Sequence, residues 1–192
     1  MANERKFQII KAAAKRFARH GVNKTTLDEV ARDIRIGKAT IYHYFTSKDD
    51  LYIETLKWEI DLFLEQVKSV LNNPDKPAAE KLLEYFLLKD SAQENYKLIY
   101  ETLLNYFNDK ALEKENEQLK FMLAKEEESV KKILISAYHE KITSISPALP
   151  AYFVMNSWGI LFGKKLNLLT NSDKPEAIKD LLLKSLESFL AR

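Results

Sequence analysis

Apolar residues recur three and four positions apart along most of the chain, a spacing that fits helices and leaves little room for sheet. Over residues 4–20, Phe7, Ile10, Ala14 and Phe17 fall on one face with basic residues opposite, and Gly21 ends the helix. Leu27, Val30, Ala31 and Ile34 form a second, shorter face. Thr26 with Glu29 makes the S/T-x-x-E pattern, in which each side chain bonds the other's unpaired backbone N–H, so a helix starts there. Arg35, Ile36 and Gly37 interrupt the pattern. From Lys38 a new helix begins, with Ile41 and Phe45 pointing inward together and Lys38, Ala39, Thr40, Tyr42 and His43 left on the outer face. Ser47 is a plausible cap for a long helix over 47–71 that runs on without a hinge. The run NNPDKP at 72–77 cannot continue a helix. Beyond it the pattern predicts helices over 78–89, 91–108, 110–141, 148–169 and 175–190. That over 110–141 uses Leu112, Leu119, Met122, Leu123, Val130, Ile133, Leu134 and Ala137 as its apolar stripe, and its polar face, including KEEES at 125–129, reads as solvated surface. The fold class is therefore all-α.

Charge changes this picture locally. Residues 1–48 carry eleven Lys and Arg against four acids, while the remaining 144 carry nineteen against 24, so a net +7 sits at the N-terminal end of a chain whose total is only +2. A basic end on an otherwise acidic chain is the footprint of phosphate binding. Beside it lies a helix face with a cation, a small residue and several hydrogen-bonding tips, the kind that a major groove about 12 Å wide admits. The competing reading is a small helical pair with a solvated outer surface. The chain has no cysteine, which excludes disulfides and cysteine-ligated zinc and fits a reducing cytosol. The N-terminus lacks the apolar core of a signal peptide, and the apolar stretch at 150–162 is too short and too interrupted to span a bilayer, so a cytoplasmic location is expected. His20, His43 and His139 show no metal-ligand spacing. With no Gly-rich phosphate loop and no G-x-S-x-G, no catalytic site, metal or cofactor is expected.

The run GKATIYHYFTSKDDLY, preceded by TTLDEVA and by a first helix ending in KRFARHGV, resembles the N-terminal domain of the TetR family of transcriptional regulators. The Ile41-Tyr42-x-Tyr44-Phe45-x-x-Lys48-x-x-Leu51 spacing, the Phe17 to Gly21 helix end and the Thr25-Thr26 start fall in place together over about the first 50 residues. The resemblance implies a three-helix helix-turn-helix domain at 1–48, a helical effector-binding and dimerisation domain at 49–192, and a homodimer. It further implies that Thr25 or Thr26 bonds a phosphate at the start of the second helix. Lys38, Ala39, Thr40, Tyr42 and His43 would face the groove, with Tyr44 and Lys48 on backbone phosphates. One place departs from the family: Ile34 and Arg35 stand where Ala and Gly are usual. An arginine kept at positive φ bears a cost of roughly 1 kcal/mol, so either the turn differs or Gly37 absorbs the bend. Arg35 is either a further phosphate contact or a solvated turn residue.

In the C-terminal part, Tyr152, Met155, Gly159, Phe162, Gly163 and Leu166 form one stripe, and the final helix carries Leu182, Leu186 and Phe189. These are the expected dimer interface, against the alternative of packing within one chain. Gly159-x-x-x-Gly163 permits close approach of a neighbouring helix, and two paired recognition helices suit a palindromic double-stranded DNA operator. The same region is rich in aromatics. Tyr100, Phe107, Tyr138 and Trp158 are the expected lining of a pocket for a small apolar or aromatic effector, since a buried phenol or indole wants a polar partner. The expected function is a transcriptional regulator, a repressor released by that effector. The alternative is a DNA-binding or interaction protein without an effector, whose C-terminal domain only dimerises.

Overall fold

The computed structural model of the chain describes residues 2–108, 110, 112–138, 147–165, 180 and 183–184. Among these there are nine helices and no strand: α1 (Ala2–His20), α2 (Leu27–Asp33), α3 (Lys38–Tyr44), α4 (Lys48–Leu71), α5 (Ala78–Asp90), α6 (Ala92–Asn95), α7 (Lys97–Phe107), α8 (Glu113–Tyr138) and α9 (Leu149–Lys165). The segment expected as one helix over 91–108 is two, parted at Tyr96 (φ −132°, ψ 60°), which caps α7. The final helix expected over 175–190 lies outside the described residues, apart from isolated positions.

The chain forms two compact units. The first takes the chain up to Leu62 and then Tyr96–Leu119; the second takes Phe63–Asn95 and the chain from Lys120 on. The first unit is thus larger than the 1–48 segment. Its core is built on Ile9, Ala13 and Phe17 of α1, each fully buried, with Val30, Ile41, Leu51 and Leu56. Phe7, expected on the core face, is 42% exposed instead. The buried stripe is the 9–13–17 row, and Phe7 lies to its side with its ring edge-on to Trp58 and under the Lys11 ammonium. Phe17 meets Tyr52 edge-on at 5.7 Å, and truncating so fully packed a phenylalanine costs about 3–5 kcal/mol.

Glu59 of α4 is buried and accepts the Ile99 amide at 2.9 Å, closing the otherwise open N-terminus of α7. Burial pushes its carboxyl up from 4.5 to about 7, against the pull of the Ile99 and Leu98 amides. In the second unit α5 packs on α9, with Phe86 edge-on to Phe153 at 6.2 Å. From α8 this unit buries Met122, Val130, Ile133 and Leu134, while Leu112, ahead of the helix, is 55% exposed. Within KEEES, Lys125 and Glu128 are solvated as expected, but Glu126 is fully buried.

Candidate nucleic-acid interface

The interface candidate is assembled by three helix ends. At the first, Thr26 and Glu29 close a full capping box: the Thr26 amide donates to Glu29 Oε2 at 2.8 Å, and the Glu29 amide donates to Thr26 Oγ1 at 3.3 Å. The Thr26 backbone bond, with the hydroxyl beside it, holds the Glu29 carboxyl below its usual range. Thr25 is placed differently from expectation. It is only 2% exposed and its hydroxyl donates to the Gly21 carbonyl at 2.9 Å, so this side chain braces the turn after α1 and is not free to bond a phosphate.

At the second end the chain leaves α2. The Arg35 amide donates to the Arg32 carbonyl at 3.2 Å and the Ile36 amide to the Ala31 carbonyl at 3.0 Å, the two bonds of a Schellman motif. Its left-handed position is filled by Arg35, at φ 54°. Gly37 sits at an ordinary φ of −75° and opens α3 as its N-cap. Neither expected alternative holds: the turn keeps its positive φ, Gly37 does not absorb the bend, and Arg35 itself bears it.

The third end is the start of α4. The Asp50 amide donates to Ser47 Oγ at 3.0 Å, making Ser47 the cap, and the Asp50 carboxylate accepts from the Thr46 amide at 2.9 Å. Lys48 is half-buried and its Nζ donates to the Val22 carbonyl at 3.0 Å, which ties α4 to the turn before α2. An ammonium has three donors, so two remain for another acceptor.

Between these ends α3 is held by Ile41 and Phe45, 0% and 1% exposed. Its other face is open: Lys38, Ala39, Tyr42 and His43 are exposed, and Thr40 and Tyr44 are half-buried. Tyr42 leaves half its surface uncovered, and the His43 and Tyr44 rings meet edge-on at 5.1 Å. Lys38 pairs with Asp28 at 2.7 Å, and this bond raises the lysine above its usual range. Both partners are about half exposed, so the pair is worth little and can be traded for a stronger acceptor. Arg16 spends its charge inside the unit, gripping Asp33 through two nitrogens at 2.6 and 2.9 Å and Glu29 at 3.3 Å, and thereby fixing α1 to α2.

A depression of about 410 Å³ lies between the starts of α2 and α4 and the outer face of α3, lined by Asn23, Thr26, Lys38, Tyr42, Thr46 and Lys48 among others. Asn23 and Thr46 were not singled out from the sequence. Thr46 carried a signal, standing directly before the cap of α4, whereas nothing in the pattern marked Asn23.

The remaining sequence-predicted sites are more scattered. Tyr100 is buried on α7 in the first unit, while Trp158 is buried on α9 in the second. Phe107 is 55% exposed at the last turn of α7, edge-on to Tyr106, and is a surface residue rather than the wall of an enclosed pocket. On α9, Tyr152 and Met155 are 63% and 57% exposed and Gly159 is open, opposite the buried Phe153, Val154 and Trp158; Gly163 is half-buried. The side chains of Tyr138 and Phe162, together with Leu166, Leu182, Leu186 and Phe189, lie outside the described residues.

Residues 9–55 match the family model described as bacterial regulatory proteins, tetR family. Among curated relatives, the HTH-type transcriptional regulator HbdR of Aromatoleum sp. (strain CIB) is 30% identical over 103 residues, 52% of this chain and 45% of that protein. The biofilm operon icaADBC HTH-type negative transcriptional regulator IcaR of Staphylococcus aureus is 30% identical over 101 residues, 52% of this chain and 54% of its own. In both cases the chain spans about half the length of the curated relative it matches. The fold extends further: the crystal structure of a TetR transcriptional regulator from Legionella pneumophila superposes with a TM-score of 0.61 at 19% identity, over 96% of this chain and 94% of that one. None of the described helices is long and apolar enough to cross a membrane.

Proposed function

We propose that this chain, which belongs to the TetR family of bacterial regulatory proteins, is a homodimeric repressor that reads a palindromic DNA operator and leaves it when a small organic effector binds. The observation that carries the DNA reading is α3, a helix fastened on one side by Ile41 and Phe45 and bare on the other. Lys38, Ala39, Thr40, Tyr42 and His43 are its groove-facing set. Tyr44 and Lys48 take backbone phosphates, with Thr26 at the adjoining helix start; Thr25 drops out because its hydroxyl is spent on Gly21. Residues 1–48 form the DNA-binding segment, and 49–192 serve effector binding and pairing.

Pairing is supported by the stripe of Tyr152, Met155 and Gly159, apolar or small and uncovered on α9. Two copies joined by a two-fold axis would set two recognition helices one or more helical turns apart, roughly 34–36 Å per turn. Release follows if the effector prefers a dimer with a different spacing, and a coupling of about 1–3 kcal/mol suffices.

The experiment is operator binding by anisotropy across a salt series. Lys48→Ala should weaken binding on all sequences alike and flatten the slope of log K against log salt by about 0.9, the loss of one phosphate contact. Tyr42→Ala should change base preference at one position by roughly 1–3 kcal/mol. An unchanged salt slope for Lys48→Ala removes that lysine from the phosphates. Unchanged preference for Tyr42→Ala removes α3 from the groove.

A further inference from the structure

DNA recognition leaves the centre of the second unit without a role. Lys89, in the last turn of α5, and Glu126, on α8, have no exposed side-chain surface, and Lys89 Nζ lies 2.5 Å from Glu126 Oε2. The same carboxylate accepts the Tyr85 hydroxyl at 2.7 Å and Trp158 Nε1 at 3.0 Å. Ring faces surround the ammonium as well: Tyr85, Phe63 and Trp158, with centroids 3.8, 4.4 and 4.9 Å from Nζ.

Stability does not explain such a pair. Taking both charges out of water costs what their attraction returns, and well-packed apolar residues of similar volume usually serve as well or better. What the arrangement does provide is a recognition geometry. Three π faces and one carboxylate converging on a point are what an organic ammonium ion requires when it leaves water. An anionic ligand would meet Glu126 head-on, and a neutral one would leave that carboxylate without its counter-charge.

We propose that Phe63, Tyr85, Trp158 and Glu126 form a receptor box for an organic ammonium ion, filled by Lys89 in the free protein and taken over by an effector with an ammonium head on an apolar body. This rests on the reading of the chain as effector-regulated and names the effector's class. Two features favour exchange. Burial pushes the Lys89 amine down to about 8 in spite of Glu126, so the resident cation is held at the expense of part of its basicity, whereas a quaternary ammonium has no proton to lose. Lys89 is also one residue from the end of α5, on a flexible four-carbon stem that can be released at the helix terminus.

The first test uses full-length Lys89→Ala, in which the atoms removed have the outline of propylammonium. Propylammonium chloride should raise its melting temperature by several degrees at near-neutral pH, while 1-propanol and an equal concentration of sodium chloride should not. If the variant fails to fold unaided, recovery of helical circular dichroism by propylammonium is the same result. Adding Glu126→Gln should abolish the response, and so should Lys89→Met, whose apolar chain fills the space the ion would take. Equal responses to propylammonium and propanol, or no response to either, overturn the box. The second test titrates the Trp58→Phe protein, with Lys89 intact, with octyltrimethylammonium below its micelle concentration, reading Trp158 emission and operator anisotropy. Saturable binding with DNA release supports box and effector role together. Binding without release keeps the box and overturns the effector reading, and no saturable binding overturns the exchange with Lys89.

Discussion

Replacing Arg35 with glycine isolates the cost of the turn that aims α3. Arg35 holds φ 54° as the left-handed residue of the Schellman motif, making both of its hydrogen bonds through the backbone. A residue with a Cβ gives up about 1–2 kcal/mol in that region. Glycine relieves this but loses about 0.5–1 kcal/mol through the greater freedom of its unfolded chain. The Arg35 side chain is exposed and makes no hydrogen bond or ion pair among the described residues, so its loss should subtract little. Arg35→Gly should therefore be more stable by about 0.5–1 kcal/mol, a rise of about 2 °C for a chain of this size. Thermal and urea denaturation followed by far-UV circular dichroism would measure it, with Arg35→Ala alongside. Alanine loses the charge but keeps the Cβ, so it should melt with the wild type while glycine melts above both. A glycine variant that melts lower, or an alanine variant that gains as much, would refute the claim that backbone strain sits at this residue.

Glu59 gives a pH-dependent prediction. Its folded value of about 7 lies above the ordinary 4.5, so the stability it lends is present below pH 4.5 and is lost as pH rises through about 7. Glu59→Gln, whose amide oxygen can still accept from Ile99, should be more stable than wild type at about pH 8, by at most about 3 kcal/mol, with the advantage fading towards about pH 5. Paired melts across that range check it, and a pH-independent difference would count against the buried carboxyl. On α9, Gly159→Arg puts a long charged side chain on the open stripe, where an added Cβ meets nothing within 4 Å inside the chain. It should shift sedimentation from dimer to monomer and lower the melt by no more than the loss of pairing, and an unaltered dimer would move the interface elsewhere.

Much of the first unit was legible because its signals are local. The Thr26–Glu29 box, the Gly21 helix end, the Ser47 cap and the inward Ile41 and Phe45 each depend on residues within four positions of one another, and each appears in the structure. Readings failed where a distant partner decides. Phe7 fits a helical face as well as Ile9 and Ala13 do, and only the packing of the rest of the unit chooses the 9–13–17 row. Thr25 was indistinguishable from Thr26 as a phosphate ligand until the Gly21 carbonyl claimed its hydroxyl. Glu126, inside a charged run, looked like solvated surface, and its burial follows from Lys89, Tyr85 and Trp158 arriving from two other helices. The turn at Arg35 lies between these cases: the departure from glycine was visible, but which residue would bear the positive φ was not.

An exposed α3, paired across a two-fold axis, is proposed to read a specific DNA sequence. Selection of bound fragments from random double-stranded DNA by the purified full-length protein tests it most directly, because one recovered site reports half-site sequence and spacing together. Enrichment of two inverted half-sites one or more helical turns apart, roughly 34–36 Å per turn, is expected, with the base preference altered by Tyr42→Ala. A pool that stays unenriched, or that converges on a single half-site without an inverted partner, would contradict it.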